Sequence, residues 1–126
     1  MPVKYTVSEK GNPLKPEQPK KWYANAKSAG DTTLRTLSKE IAARSTISPA
    51  DTQAVLVALT EVLVEHLANG KIVRLGDFGA FQVSVGSHGA ETEAKFNPSL
   101  IKTKKVAFRP GIDLKEMLNN LKFEKA

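Results

Sequence analysis

Cysteine is absent from the 126 residues, which excludes disulfide bonds and thiolate metal sites. A chain without cysteine is most simply intracellular. Although 40% of the residues are apolar, no apolar run approaches the roughly 18 residues of a membrane span. The start MPVKYTVSEK also lacks the apolar region of a signal peptide. We therefore expect one cytoplasmic domain with a modest core and no membrane partner.

Residues that carry catalytic chemistry are equally sparse. His66 and His88 have no second ligand at metal-binding spacing. Glu61 and Glu65 form an i, i+4 pair, which is typical of an exposed helix face. The glycines of LGDFGAF precede neither Gly-Lys-Ser/Thr nor a helix, so they match no phosphate-binding loop. We predict a protein that is not an enzyme, with no catalytic residue, metal, cofactor or small-molecule substrate.

Basic residues are concentrated in two parts of the chain. Lys and Arg number 19 against 13 Asp and Glu, a net charge of +6. Residues 1–30 carry six Lys against two Glu, and residues 71–109 carry seven basic against three acidic residues, whereas residues 31–70 are net acidic. Such segregation attracts polyanions, either nucleic acid or an anionic membrane. Charge alone leaves open a soluble protein that is merely basic.

Residues 1–30 predict a β-rich N-terminal extension. The strings VKYTVS and KWYANAKS alternate apolar with polar residues, as β-strands do. Pro13, Pro16 and Pro19 lie in the loop between them and exclude a helix there. Residues 31–126 then form the remaining domain.

A pair of antiparallel helices should follow. The first begins near Asp31 or Thr32 and ends near Arg44. The second has Ser48 as its N-cap and Pro49 at its first position, and Gly70 ends it. The apolar stripes of the two helices are Leu34, Leu37, Ile41 and Ala42, and Val55, Leu59, Val62, Leu63 and Leu67.

The apolar period changes from 3.6 to two after the second helix. Ile72, Val73 and Leu75 predict one strand, and a second strand alternates from Phe81 to Val85. The string LIKTKKVAFRPG predicts a third strand, and DLKEMLNNL a C-terminal helix capped by Asp113. The predicted fold class is α+β: a helical pair, a three-stranded antiparallel sheet with a long β-ribbon arm at about residues 84–102, and a C-terminal helix.

Three motifs resemble the bacterial histone-like family of HU and integration host factor. They are GKIVRLGDFGAFQV, KVAFRPG and the helical string TLRTLSKEIAARSTISPADTQAVL, which together cover roughly residues 31–121. The GDFGAF turn and the FRPG string are the most specific parts. The N-terminal strings YTV and KKWYA resemble, more narrowly, the HU-related subgroup common in Bacteroides-type bacteria.

This resemblance implies an intertwined homodimer in which helices form a base and the sheets form a saddle with two DNA-wrapping arms. Family aromatic residues in the dimer core match Phe78, Phe81 and Phe108. Three short strands offer little cover for three phenylalanines, each worth about 2–3 kcal/mol when buried. Packing on the chain's own helices is the alternative.

The family binds DNA through basic residues on the saddle and arms, and through a proline near each arm tip that wedges between base steps. Asn97-Pro98 resembles this wedge, although Phe96 replaces the family's arginine, and a turn or edge proline is the alternative role. Each basic residue taken singly has an alternative role in protecting a strand edge. The basic positions that match the family are Arg74, Lys102, Lys104, Lys105 and Arg109, and Lys95 lies on the arm itself; with Asn97 and Pro98 these are the candidate DNA-binding residues.

The outbound strand and the arm depart from the family pattern. Ser84 and Gly86 stand where relatives have arginine, and Glu91 and Glu93 would repel phosphate. The leading hypothesis is a non-sequence-specific architectural protein that binds double-stranded DNA in the bacterial nucleoid. The alternative is an HU-fold structural or protein-interaction module with weakened DNA binding.

The N-terminal extension leaves two roles open. Its lysines, with Trp22 and Tyr23 beside them, could form a further basic and aromatic surface for nucleic acid. Alternatively, Trp22 holds the extension against the domain. The lysines concerned are Lys15, Lys20, Lys21 and Lys27.

Overall fold

The computed structural model describes residues 2–126, which divide into two compact units. The first unit contains the residues up to Thr33 together with Met117–Ala126, and the second is Leu34–Glu116. Within the described residues, no helix is both long and apolar enough to cross a membrane. The elements in chain order are β1 (Val3–Lys10), β2 (Lys21–Lys27), α1 (Leu34–Ala43), α2 (Pro49–Ala68), β3 (Val73–Arg74), β4 (Gly79–Ser87), β5 (Ile101–Pro110), α3 (Ile112–Asn119) and β6 (Phe123–Lys125).

A three-stranded sheet with the order β2-β1-β6 forms the first unit. Strand β1 is antiparallel to β2 and parallel to β6, so the two strand-like strings of residues 1–30 form two paired strands. Strand β6 was not predicted. It joins the sheet through hydrogen bonds from the Val3 amide to the Lys122 carbonyl, 2.8 Å, and from the Ala126 amide to the Tyr5 carbonyl, 2.9 Å.

Helix α2 of the second unit begins and ends where its local sequence predicts. The Ser48 hydroxyl accepts a hydrogen bond from the Asp51 amide at 3.1 Å, and Pro49 is the first helical residue, which needs no amide donor. Gly70 follows the helix with φ of 79°, a conformation that glycine adopts without a Cβ clash. Both boundary predictions are confirmed.

The apolar stripe predicted for α2 meets its own chain along one side only. Leu56, Leu63 and Leu67 are half-buried, at intervals that place them on one face with the buried Thr52. Val55, Leu59 and Val62 lie on the adjoining side of the same broad stripe and are 59%, 39% and 46% exposed. When apolar residues cover most of the circumference of a helix, the sequence pattern does not predict which of them pack against the helix's own chain.

A second sheet, with the order β3-β4-β5, completes this unit, and all of its strands are antiparallel. Strand β3 contains only Val73 and Arg74 and is shorter than predicted, because the turn begins at once. In this turn the Leu75 amide donates to the Gly79 carbonyl at 2.9 Å, and the Gly111 amide donates to the Phe78 carbonyl at 2.8 Å. A Cβ at Gly111 would overlap the Asp77 carbonyl, so this close approach requires glycine.

Strand pairing stops within the range predicted for the arm. The β4–β5 ladder shifts register between Gly86 and Ser87 and reaches Ser87 opposite Ile101. Residues 88–100 then contain two short 3-10 turns, Glu93–Lys95 and Pro98–Leu100. Side chains explain these turns, because Thr92 and Asn97 each accept a backbone hydrogen bond at the start of a turn. Helix α3 begins at Ile112, so Asp113 lies in its first turn and the predicted Asp113 cap is wrong.

Very few side chains are fully buried in the single chain. Among residues 2–126 no apolar side chain is buried, and the two buried polar side chains, Ser38 and Thr52, bond to carbonyls of their own helices or caps. The accessible surface is 10678 Å². Two separate folded units of half this mass would expose roughly 8,000 Å² together. The excess indicates large apolar faces that this chain does not cover.

Candidate nucleic-acid interface

One face of the β3-β4-β5 sheet carries two arginines side by side. Arg74 pairs with Ala80, and Ala80 pairs with Arg109, so the three residues form one row across the sheet. Directly opposed residues share a face, and adjacent strands lie about 4.8 Å apart, so the two arginine backbones are roughly 10 Å apart. The row therefore presents two guanidinium groups on either side of a small residue.

The next rows of this face are small and polar. Gln82 pairs with Ala107, Ser84 with Lys105, and Gly86 with Thr103. Together with Ile72, the two arginines, Ala80, Gln82, Ser84 and Ala107 line an open recess that contains no acidic side chain. We call these paired residues of the sheet the basic face. A floor of short side chains allows a polymer backbone to approach closely, and arginine can donate two parallel hydrogen bonds to one phosphate.

The opposite face of the same sheet is apolar and aromatic. Phe81 pairs with Phe108, with ring centroids 4.8 Å apart, and Phe78 of the turn lies 5.7 Å from Phe108. These three phenylalanines form an aromatic cluster. It stays largely open, because Phe78 is 46% and Phe108 38% exposed. The sheet thus separates a basic surface from an uncovered apolar one.

The structure divides the predicted basic residues between the two faces. Arg74, Lys105 and Arg109 lie together on the basic face. Lys104 pairs with Val85 and therefore shares the face of the aromatic cluster. Lys102 has no partner in the ladder, because the register shift passes over it. Alternation along β5 thus places three of the predicted residues in one group and leaves the other two outside it.

The remaining predicted residues lie in the segment 88–100. Lys95 makes an ion pair with Glu91 at 3.2 Å, and both side chains are well exposed. The Asn97 side chain accepts from the Ser99 amide at 2.9 Å and caps the turn that begins with Pro98. Pro98 therefore occupies the first position of a turn, where its missing amide costs nothing.

Sequence reasoning missed the neutral part of the basic face. Gln82 and Ser84 lie between the charged residues, and Ala80 and Ala107 make the floor between the arginines. Alternate residues of a strand share a face, so Ala80, Gln82 and Ser84 of β4 lie on one side of the sheet, and the pairing of Ala80 with Arg74 shows that this is the arginine side. This alternation is the sequence signal that could have identified Gln82 and Ser84. Charge alone does not reveal them.

Comparison with known families identifies the chain as a whole. The model of an HU domain fused to a wHTH, Ig or glycine-rich motif matches residues 1–125. The chain belongs to this HU-HIG family. The predicted relation to HU is therefore confirmed, and the match also includes the N-terminal sheet of this HU-HIG chain.

Solved structures agree on the fold. A candidate bacterial DNA-binding protein from Bacteroides vulgatus ATCC 8482 is similar over 98% of this HU-HIG chain, with a TM-score of 0.66 and 11% identity. The chain spans 47% of the length of that protein. Anabaena HU, solved in a cocrystal with DNA, is similar over 71% of this chain and 99% of its own, with a TM-score of 0.52 and 22% identity. The α+β fold, with three helices and the antiparallel β3-β4-β5 sheet, is thus HU-like. No curated protein sequence matched the chain.

Proposed function

We propose that this HU-HIG chain is an architectural DNA-binding module that binds double-stranded DNA without sequence specificity through the basic face. The observation that carries the proposal is the row Arg74-Ala80-Arg109, an acid-free pair of guanidinium groups over a shallow floor. The cocrystal of the similar Anabaena HU with DNA supports the same ligand. Within residues 2–126 no helix carries a comparable basic row, so the proposal involves backbone contacts and not base reading.

Phosphate attraction supplies the binding energy in this proposal. Arg74, Lys105 and Arg109 are the three positive groups of the basic face, and each phosphate that they neutralise releases a counterion. Gln82 and Ser84 add uncharged hydrogen-bonding groups between them. Such contacts position the protein on the duplex without reading its sequence.

The predicted residues outside the basic face should contribute less to DNA binding. Lys102 and Lys104 lie where β5 leaves the segment 88–100, so they can meet a duplex that bends around the sheet edge. Lys95 is already neutralised by Glu91. Asn97 and Pro98 shape the turn that carries these residues. We therefore expect weaker contributions from the segment 88–100 than from the basic face.

We further propose that the working form is a homodimer with Phe78, Phe81 and Phe108 in its core. The aromatic cluster and the exposed face of α2 formed by Val55, Leu59 and Val62 are both uncovered in the single chain. Burying these apolar groups against a second copy removes them from water at about 25 cal/mol per Å². A second copy also doubles the number of basic faces available to one duplex.

A binding titration of the Arg74→Gln/Arg109→Gln variant tests the function. Removing two phosphate contacts per chain should reduce the slope of log K against log salt by about two for each chain that binds. The affinity for a random-sequence duplex should also fall at least tenfold at low salt. Fluorescence anisotropy with a labelled duplex measures both quantities.

A charge-matched variant controls for the general loss of positive charge. Lys39→Gln/Lys115→Gln removes two charges from helices α1 and α3, whose residues are not part of the basic face. This control should keep most of the affinity. Equal losses in the two variants, or no loss in the arginine variant, would contradict the assignment of the basic face.

A second candidate function is an HU-fold structural or protein-interaction module in which DNA binding is weak. Uncharged Ser84 and Gly86 on β4 favour it, as does the ion pair that neutralises Lys95. The same titration separates the two candidates. Absence of duplex binding at low salt, with the dimer intact, would favour the interaction module.

A further inference from the structure

The N-terminal sheet sorts its residues into two faces of different chemistry. In the β1–β2 ladder Lys4 pairs with Lys27, and Lys10 pairs with Lys21. Tyr23, opposite Ser8, lies on the same face between these pairs and is 48% exposed. We call this surface, formed by Lys4, Lys10, Lys21, Lys27 and Tyr23, the lysine face.

The other face of this sheet is apolar. Tyr5 pairs with Ala26, Val7 with Ala24, and Phe123 of β6 lies beside Val3. Trp22 also belongs to the apolar face, because it pairs with Glu9. Adjacent Trp22 and Tyr23 therefore point to opposite sides, and only Tyr23 accompanies the lysines. Because the two faces lie on opposite sides of one sheet, a group that packs on the apolar face does not cover the lysine face.

Two like-charged pairs directly across a ladder need an explanation, because such pairs destabilise a sheet. No ion pair within residues 2–126 neutralises any of these four lysines. Glu124, opposite Lys4, is the acidic residue of this face and leaves it with a net excess of three positive charges. Protection of an exposed edge accounts for lysines on β2, but Lys4 lies on β1 where β2 and β6 flank it on both sides.

We propose that the lysine face is a second binding surface for the phosphates of duplex DNA, separate from the basic face. The two lysine pairs are six residues apart along β1, a distance of roughly 20 Å. This length corresponds to about six base-pair steps of one strand. Lysine binds phosphate as a point charge without strict geometry, which suits backbone contact. One exposed tyrosine per face is too few for the stacked bases of a single strand.

The inference extends the proposed function and rests on it only for the identity of the ligand. The variant Lys4→Gln/Lys10→Gln/Lys21→Gln/Lys27→Gln removes the four charges from exposed side chains. The control Lys39→Gln/Lys115→Gln/Lys122→Gln/Lys125→Gln removes the same total charge, and its Lys125 lies on the apolar face of the same sheet, opposite Tyr5. Circular dichroism verifies that both variants are folded.

Two measurements on the full chain test the lysine face. Anisotropy titrations with a labelled 30-base-pair duplex and with a single strand of equal length give the salt slopes. The lysine-face variant should reduce the duplex slope by about two to four for each chain that binds, and the control by less than one. Lysine acetylation followed by mass spectrometry should show that the duplex protects Lys4, Lys10, Lys21 and Lys27 and does not protect Lys125.

The outcomes separate this inference from the proposed function. Equal slopes for the lysine-face variant and the control, unprotected lysines, or a preference for the single strand would overturn the lysine face. If Arg74→Gln/Arg109→Gln leaves binding unchanged while the lysine-face variant loses it, the basic face is refuted and the lysine face stands. If the unmodified chain binds no duplex at low salt, both fail.

Discussion

The substitution Phe108→Ala should strongly weaken the proposed dimer. Phe108 is the central ring, since it lies 4.8 Å from Phe81 and 5.7 Å from Phe78, measured between centroids. Truncation of Phe108 therefore removes the ring contacts of both Phe78 and Phe81. It also removes the part of the ring that only a partner chain can cover.

The expected magnitude follows from the 38% of Phe108 that the single chain leaves exposed. A phenylalanine buries about 150–250 Å² in a core, so the uncovered part is roughly 60–95 Å². At about 25 cal/mol per Å² this is about 1.5–2.4 kcal/mol per chain, or about 3–5 kcal/mol for a dimer. Because each 1.4 kcal/mol is a factor of ten, the dissociation constant should rise by about two to three and a half orders of magnitude.

Sedimentation equilibrium and urea unfolding at several protein concentrations measure this change. The unmodified chain should sediment at twice 13.7 kDa, and its unfolding midpoint should rise with concentration. Phe96→Ala is the matched control, because Phe96 is 42% exposed but lies in the segment 88–100, outside the cluster. A Phe108→Ala variant that matches the Phe96→Ala variant in mass and midpoint would refute the dimer core.

Two further substitutions test the N-cap of α2 and the tight turn at Gly111, each by thermal unfolding at one fixed protein concentration. Ser48→Ala removes the acceptor of the 3.1 Å hydrogen bond from the Asp51 amide and should cost about 1 kcal/mol, so an unchanged midpoint would contradict the cap. Gly111→Ala places a Cβ against the Asp77 carbonyl and should cost several kcal/mol, whereas Gly89→Ala, with no atom within 4 Å of its new Cβ, should be neutral. Equal midpoints for the two alanine variants would show that the turn before α3 is not tight.

Features that depend on neighbouring residues could be predicted from the sequence. The start of α2 at Ser48 and Pro49 and its end before Gly70 follow from capping chemistry within one turn. The tight turn around Gly76 and Phe78 follows from glycine content and the change of apolar period. Each of these signals lies within a few residues of the structure that it specifies.

Features that depend on distant pairing could not be predicted. Strand β6 has three residues and pairs in parallel with β1 from the other end of the chain, so neither its length nor its partner leaves a local signal. Helix α2 has one broad apolar stripe, and the sequence does not say which side of it meets its own chain. Only tertiary packing decides both questions.

Part of the candidate site could be predicted from the sequence. Alternation groups Lys105 with Arg109 and separates Lys104 from them, and this rule can be applied to the sequence of β5 directly. The place of Lys102 could not be predicted, because the register shift beside Ser87 interrupts the alternation. The opposite orientation of Trp22 and Tyr23 likewise follows from alternation, but assigning each to a face required the register with β1.

The salt dependence of binding to two duplexes of unrelated sequence tests the central claim most directly. With Arg74, Lys105 and Arg109 contributed by each chain of a dimer, the basic faces alone should give a slope of log K against log salt of about −5, and phosphate contacts at the lysine faces should make the slope of the unmodified protein steeper. The two duplexes should bind with affinities within a few-fold of each other, since backbone contacts carry no sequence information. No binding at low salt, a slope near zero, or a hundredfold preference for one sequence would contradict the account.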